Sequence, residues 1–205
     1  MKWIVGIDEV GRGPLAGPVT VCAVAMTYKA YEKLLDKNTL AGLNDSKQLT
    51  EKSRERWHTE ARAMEHRGAL HIAISSRTAK AIDKKGIAVC IRECIKENLE
   101  KLKMGSDPKG CTILLDGSLR APKEYPNQQT IIRGDSSQKI ISMASVVAKV
   151  SRDRYMVGLG KKHALYGWND NKGYGTKAHI QAIKKWGLTP FHRNSFLKRI
   201  IATKA

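Results

Sequence analysis

The stretch Ile4-Val5-Gly6-Ile7-Asp8-Glu9-Val10-Gly11-Arg12-Gly13 decides how the rest of the chain is read. Apolar residues lead up to two adjacent carboxylates, and a Gly-Arg-Gly turn follows, with Pro14 and Gly17-Pro18 behind it. Open α/β sheets place ligands at strand ends, so charge at a strand terminus followed by glycine-permitted backbone is the layout of a site. Side-by-side carboxylates repel and lose hydration on burial unless a cation neutralises them. A divalent ion or Arg12 would serve; a solvated strand end with a tight turn is the plainer alternative.

Outward from this strand, residues 19–26 are apolar on both alternating faces, as in a strand buried within a sheet. The short connection through Gly17-Pro18 makes the two antiparallel neighbours. Residues 69–74 alternate as a third strand. Thr50 offers an N-cap for a helix to about Arg67, with Trp57, Ala61 and Met64 on one face and Gly68 to end it. Ile87, Ile91, Ile95, Leu99 and Leu102 mark an amphipathic helix over 87–103. Residues 111–117 form a strand that ends, like the first, on an aspartate followed by glycine, and 129–133 form another. Ile140, Met143, Val147 and Val150 share a face of a long helix over about 137–159, with Asp153 a turn further. A helix over 176–186 and a basic one from Ser195 complete the pattern. The expectation is one α/β domain over 1–205, with a basic helical portion from about 161.

Charge narrows the partner. Thirty-seven Lys and Arg against 19 Asp and Glu give +18, with a pI near 9.9, which argues for a polyanion. Residues 161–205 hold ten bases, among them Lys161, Lys172, Lys184, Arg193 and Lys204, against Asp170 alone, half of the net charge. General solubility explains a basic surface, but concentration on one segment favours nucleic acid. The longest apolar run, 19–26, is far short of the roughly 20 residues of a membrane span. The N-terminus lacks the apolar core of a signal peptide. Cys22, Cys90, Cys94 and Cys111 have neither CxxC nor matching Cys/His spacing, so they read as free buried thiols in a reducing cytoplasm.

Asp8, Glu9 and Asp116 thus stand at the ends of two strands. Parallel neighbours would bring those ends within about 4.8 Å. Asp8 and Glu9 point to opposite faces of an ideal strand, so sharing a site requires the strand to end or bend there. Asp153 lies on a helix that could cover the same edge. Four carboxylates without a His or Cys cluster select Mg²⁺ or Mn²⁺ over zinc. A pair of such ions roughly 3.5–4 Å apart suits phosphodiester hydrolysis. Each acid has a duller alternative: Asp116-Gly117 is a good turn, and Asp153 can pair with Lys149 for only about 0.2–0.5 kcal/mol.

Gly6-Ile7-Asp8-Glu9-Val10-Gly11-Arg12-Gly13-Pro14-Leu15-Ala16-Gly17, Leu43-Asn44-Asp45-Ser46-Lys47 and Leu115-Asp116-Gly117 resemble segments of bacterial ribonuclease HII. So do residues 144–154, Lys172-Gly173-Tyr174-Gly175-Thr176 and His192-Arg193-Asn194-Ser195-Phe196. The resemblance implies a ribonuclease-H-like fold, a five-stranded mixed sheet with strands one to three antiparallel and helices on both faces. It implies hydrolysis of RNA in RNA–DNA hybrids and incision 5′ of ribonucleotides embedded in duplex DNA, leaving 3′-hydroxyl and 5′-phosphate ends. Carried over, Asp8, Glu9, Asp116 and Asp153 are the metal-binding catalytic acids, Gly11-Arg12-Gly13 reads the 2′-hydroxyl, Tyr174 packs on the adjoining sugar, and Lys47 contacts phosphate. A monomer without a C-terminal clamp-binding peptide is expected. Two positions depart from the pattern: Ser137 stands where a base is usual, with Lys139 the nearest, and Met143 where a small residue is usual. The alternatives are a related-fold DNA nuclease of transposase type, which the Gly-Arg-Gly turn disfavours, and a non-catalytic nucleic-acid-binding protein.

Overall fold

In a computed structural model describing residues 2–102, 104–105 and 107–201, the opening stretch forms the middle strand of a five-stranded sheet. Lys103 of the expected 87–103 helix and Lys204 of the basic segment lie outside the described residues. The strands are β1 (Trp3–Val10), β2 (Val19–Thr27), β3 (His71–Arg77), β4 (Cys111–Asp116) and β5 (Gln128–Ile131), in the order β3-β2-β1-β4-β5. β1, β2 and β3 pair antiparallel, whereas β4 runs parallel to β1 and β5 parallel to β4. This is the mixed sheet that the resemblance implies.

Side-chain alternation on β1 and β2 supplies two cores. Ile4, Cys22, Val24 and Met26 face one layer, made by α1 (Tyr28–Asp36), α2 (Glu51–His66) and α6 (Lys139–Lys162). Val5, Ile7, Val21, Ala23 and Ala25 face the other, made by α3 (Ala79–Lys85) and α4 (Ile87–Lys101). A third cluster joins Leu15 and Ala16, just past the Gly-Arg-Gly turn, to α7 (Trp168–Asn171), α8 (Lys177–Trp186) and α9 (Asn194–Ile201). The C-terminal portion is therefore packed onto the segment that leaves β1.

Local chemistry explains most boundaries. Thr50 and Thr176 cap α2 and α8, accepting from the Ser53 and His179 amides at 3.2 Å each. The helix expected over about 137–159 is α6, which begins at Lys139 and runs to Lys162; Ser137 ends a short preceding turn, α5 (Gly134–Ser137), with Gln138 between the two. Gly6 sets the approach of α6: a Cβ there would lie 2.4 Å from the Ile140 carbonyl carbon and oxygen. The helix can rest directly on the strand only because that side chain is missing. Met143 fills the layer beneath α6 and is buried, so the departure there is accommodated. All four cysteines are free and buried. No described helix is long and apolar enough to cross a membrane.

Candidate active site

The sheet order brings the first two strand ends together. Ile7 is level with Leu115 across the parallel β1–β4 pair, so Asp8 and Asp116 follow side by side. Asp8 faces α6, with Ser145 beside it among the groups that draw its carboxyl down. The Glu9 amide donates to Asp8 Oδ1 at 2.8 Å. Glu9 turns to the opposite face and meets Arg12 Nη1 at 3.2 Å. Burial, and then the Glu9 and Asp116 charges, push the Asp8 carboxyl well above the usual range, against the opposing pull of Ser145 and the Glu9 amide. Burial also raises Glu9, with Arg12 opposing and Asp116 adding to the rise.

A further acid joins them from β5. Asp135, in α5, is buried, and its amide donates to Asp116 Oδ1 at 3.3 Å. Burial raises its carboxyl, and the charges of Asp116 and Asp45 raise it further, with Lys47 opposing. Lys47 Nζ stands 3.8 Å from Asp135 Oδ2. Burial draws the Lys47 ammonium down, but Asp45, Asp135, Asp8 and Asp116 outweigh it and raise it. The loop carrying Lys47 is fastened to α6 beside Asp8, through Ser46 Oγ to Ser145 Oγ at 2.9 Å and Lys139 Nζ to the Leu43 carbonyl at 2.6 Å.

Asp153 is placed differently from the expectation. It lies on α6 eight residues beyond Ser145, about 12 Å along the axis at 1.5 Å per residue. Lys149 Nζ holds its carboxylate at 2.9 Å, the ordinary i,i+4 pair. The charges acting most strongly on Asp8, Glu9 and Asp135 come from one another's neighbourhood, namely Glu9, Asp116, Asp45, Arg12 and Lys47. The structure thus groups Asp8, Glu9 and Asp116 with Asp135, and leaves Asp153 on the helix behind. The signal for Asp135 was present in the sequence: Gly134-Asp135 follows a strand, as Asp116-Gly117 does.

Among the described residues, no three Asp, Glu, His or Cys side chains enclose a common point tightly enough to hold an ion as they stand. The donor set nonetheless suits a hard cation. It is all oxygen and largely buried, and the Glu9 and Asp116 charges raise their acidic neighbours' affinity for positive charge.

The Gly-Arg-Gly turn adjoins the acids through Arg12, and Gly11 adopts φ +86°, a region open to glycine. Behind the turn, the Leu15 amide donates to the Gly173 carbonyl at 2.8 Å, which sets Tyr174 alongside. The Tyr174 ring is 40% exposed, and the Arg152 guanidinium lies 5.8 Å from its centroid. Lys47 thus borders the acids through Asp135, the turn borders them through Arg12 and Glu9, and Tyr174 stands behind the turn. Ser137, exposed on α5, contributes only a hydroxyl to the Arg133 carbonyl.

The family model for ribonuclease HII matches residues 5–199. The ribonuclease HII of Helicobacter pylori strain HPAG1 is 43% identical over 197 residues, covering 93% of this chain and 89% of the relative. Among solved structures, the ribonuclease H2 from Pyrococcus horikoshii OT3 superposes with a TM-score of 0.73 at 24% identity, covering 98% of each chain. Bst-RNase HIII in complex with Mn²⁺ gives a TM-score of 0.70 at 19% identity, over 98% of this chain and 70% of that one. Both share the fold.

Proposed function

The chain belongs to the ribonuclease HII family, and from that membership we propose how its strand-end carboxylates work. As a type 2 ribonuclease H it is a metal-dependent endoribonuclease acting on RNA–DNA hybrids. Asp8, Glu9, Asp116 and Asp135 are its metal-holding acids. The observation that carries this reading is the Asp135 amide on the Asp116 carboxylate, which ties the β4 and β5 ends into one acidic group. Bound there, a pair of Mg²⁺ or Mn²⁺ ions would supply the positive charge that hydrolysis of a phosphodiester needs at the attacking and leaving oxygens. Mn²⁺ is the ion in the complex of the fold relative Bst-RNase HIII.

The protein's own groups do the rest. Lys47, 79% exposed at its side chain, offers an ammonium to a substrate phosphate above the acids. Backbone groups of Gly11-Arg12-Gly13 read the 2′-hydroxyl, the one feature that separates RNA from DNA at a site. Tyr174 presents an exposed ring to the neighbouring sugar. The exposed lysines of α8, with those near 161–172, draw in the polyanion. On this reading the enzyme also incises 5′ of single ribonucleotides in duplex DNA, leaving 3′-hydroxyl and 5′-phosphate ends. It acts as a monomer, and a single domain is supported by β1 feeding both sheet cores and by the C-terminal segment packing on the turn after it. Four buried free thiols suit the cytoplasm.

A duplex with one ribonucleotide, assayed with Mg²⁺ and with Mn²⁺ beside an all-DNA control, tests the reading. Cleavage of the first duplex alone, dependent on metal, is expected. Equal cleavage of the all-DNA duplex would overturn the ribose-reading assignment.

A further inference from the structure

Two guanidinium groups are sealed inside the protein beneath the Gly-Arg-Gly turn. Arg193 is 0% exposed and Arg152 is 1% exposed. All six of their side-chain hydrogen bonds go to backbone carbonyls. Arg193 donates to Gly11, Arg12 and Gly17 at 2.7, 3.1 and 3.0 Å. Arg152 donates to Ala16, Pro18 and Lys172 at 3.2, 2.9 and 3.0 Å. Burial and the Arg152 charge push Arg193 down to about 9, so it remains charged at neutral pH. Burying two cations without a carboxylate in contact is costly, and a filler side chain would avoid it.

What the arrangement achieves follows from the geometry of the peptide plane. In a trans peptide, the carbonyl of one residue and the N–H of the next point in opposite directions. Drawing the Gly11 and Arg12 carbonyls inward to Arg193 turns the N–H groups of Arg12 and Gly13 outward. Neither amide meets a backbone acceptor among the described residues. The arginine is itself fixed on both sides. Its own amide donates to the Leu15 carbonyl at 2.8 Å. Beyond it, the amides of Asn194 and Ser195 each donate to the Asp83 carboxylate of α3 at 2.9 Å.

We propose that Arg193, supported by Arg152, is a positioning residue that presets the Gly11–Gly13 turn with its amides aimed at the substrate ribose. The inference rests on the reading that this turn recognises the 2′-hydroxyl. It gives one basic residue of the C-terminal segment a role other than attracting a polyanion. Without the brace, the turn must be ordered at the moment of binding. That cost falls on recognition of the ribose rather than on the chemical step.

Steady-state kinetics on a duplex with one ribonucleotide, with an all-DNA duplex as competitive inhibitor, tests it. Discrimination is the ratio of the inhibition constant of the DNA duplex to the KM of the ribonucleotide duplex. Arg193→Gln should raise KM about tenfold, leave kcat within about threefold, and lower discrimination about fivefold. Arg193→Lys, with the charge but without the planar fork, should fall between. Asp83→Ala, which releases the anchor and leaves the arginine in place, should shift discrimination the same way by about twofold. It decides the matter if circular dichroism shows Arg193→Gln unfolded. Gly13→Ala is the control on the underlying reading. A Cβ there meets nothing within 4 Å, so only an approaching substrate would feel it. If Gly13→Ala lowers discrimination while the Arg193 and Asp83 variants leave it unchanged, the brace is wrong and the reading of the turn stands. If Gly13→Ala also leaves discrimination unchanged, that reading fails and takes the brace with it.

Discussion

The Asp135 amide donates to the Asp116 carboxylate at 3.3 Å, so the end of β4 and the turn after β5 act as one acidic edge. The two strands are parallel neighbours, with Asp116 level with Ile131, so their carboxyl ends necessarily arrive together. Asp153 reaches its position by another route, along a helix that crosses the sheet and moves away from Asp8.

Paired substitutions separate the two aspartates. Asp135→Asn should lower kcat/KM by at least about 100-fold, since loss of even an outer partner at a metal site costs 10–100-fold. Asp153→Asn should stay within a few-fold of the parent, because it removes only an i,i+4 pair with Lys149. Both are read on one RNA–DNA hybrid at saturating Mn²⁺. The reverse ranking would return Asp153 to the site and remove Asp135.

Charge crowding at the strand ends destabilises the metal-free protein. A carboxyl whose affinity for its proton is higher when folded opposes folding increasingly as pH rises from its unfolded pKa, and the penalty is complete above its folded pKa. Asp8 is raised by burial and by Glu9, so at neutral pH it carries that penalty. Asp8→Asn should therefore raise Tm at pH 7 in chelator, each kcal/mol being worth about 2–4 °C in a domain of this size. The gain should shrink toward the ordinary carboxylate range, and Mn²⁺ should raise Tm more for the parent than for the variant. A lower Tm for Asp8→Asn under chelation would contradict this account.

Gly6 tests whether α6 is seated by the strand beneath it. An alanine Cβ would sit 2.4 Å from the Ile140 backbone, which no rotamer change can relieve. Overpacking of this kind costs about 1–3 kcal/mol, and here backbone must move. The displaced helix carries Ser145, which neighbours Asp8 and donates to Ser46, the residue before Lys47. Gly6→Ala should thus lower Tm and also cut kcat about tenfold at saturating substrate, where a purely global effect would spare the folded fraction. Unchanged kcat alongside a lower Tm would confine Gly6 to packing.

Features encoded within a few residues were legible in the sequence. Thr50 and Thr176 announce their helices, the spacing of Ile87, Ile91 and Ile95 sets α4, and apolar runs ending on Asp8 and Asp116 mark two site strands. The short α1 and α3 escaped notice because nine and seven residues carry too little periodicity, although Thr27 and Thr78 cap them. Asp135 fell in a connection between an expected strand and an expected helix, and only the parallel pairing of β4 with β5 moves it to the edge. Asp153 shares a helical pattern with residues that do reach the sheet, but pattern gives the face of a helix and not the distance along it. Arg193 counted among the bases of a polyanion-binding tail, since charge in a sequence does not say which side of the surface it occupies.

The histidines beside Arg193 predict an acid limit to stability. An indole N–H only donates, so Trp168 Nε1 at 3.0 Å makes His179 Nε2 an acceptor and puts the His179 proton on Nδ1, toward the Tyr174 carbonyl at 2.9 Å. The Thr189 amide donates to His192 Nδ1 at 2.9 Å, which puts the His192 proton on Nε2, toward His179 at 3.2 Å. Both rings are neutral in this network, and an added proton on His192 would face the Thr189 amide hydrogen. Burial, and then the His179 charge, lower His192 from 6.5 to about 4. Because the unfolded ring takes its proton first, the stabilisation is complete above pH 6.5 and is lost as pH falls toward 4. Across that window the loss amounts to about 3 kcal/mol. Thermal melts from pH 7 to 4.5 should show the parent losing more Tm than His192→Gln, so that the two curves approach each other as the solution is acidified. Parallel curves would mean that His192 takes its proton as readily in the folded protein as in the unfolded chain, and that the ring network is not the one drawn by these hydrogen bonds.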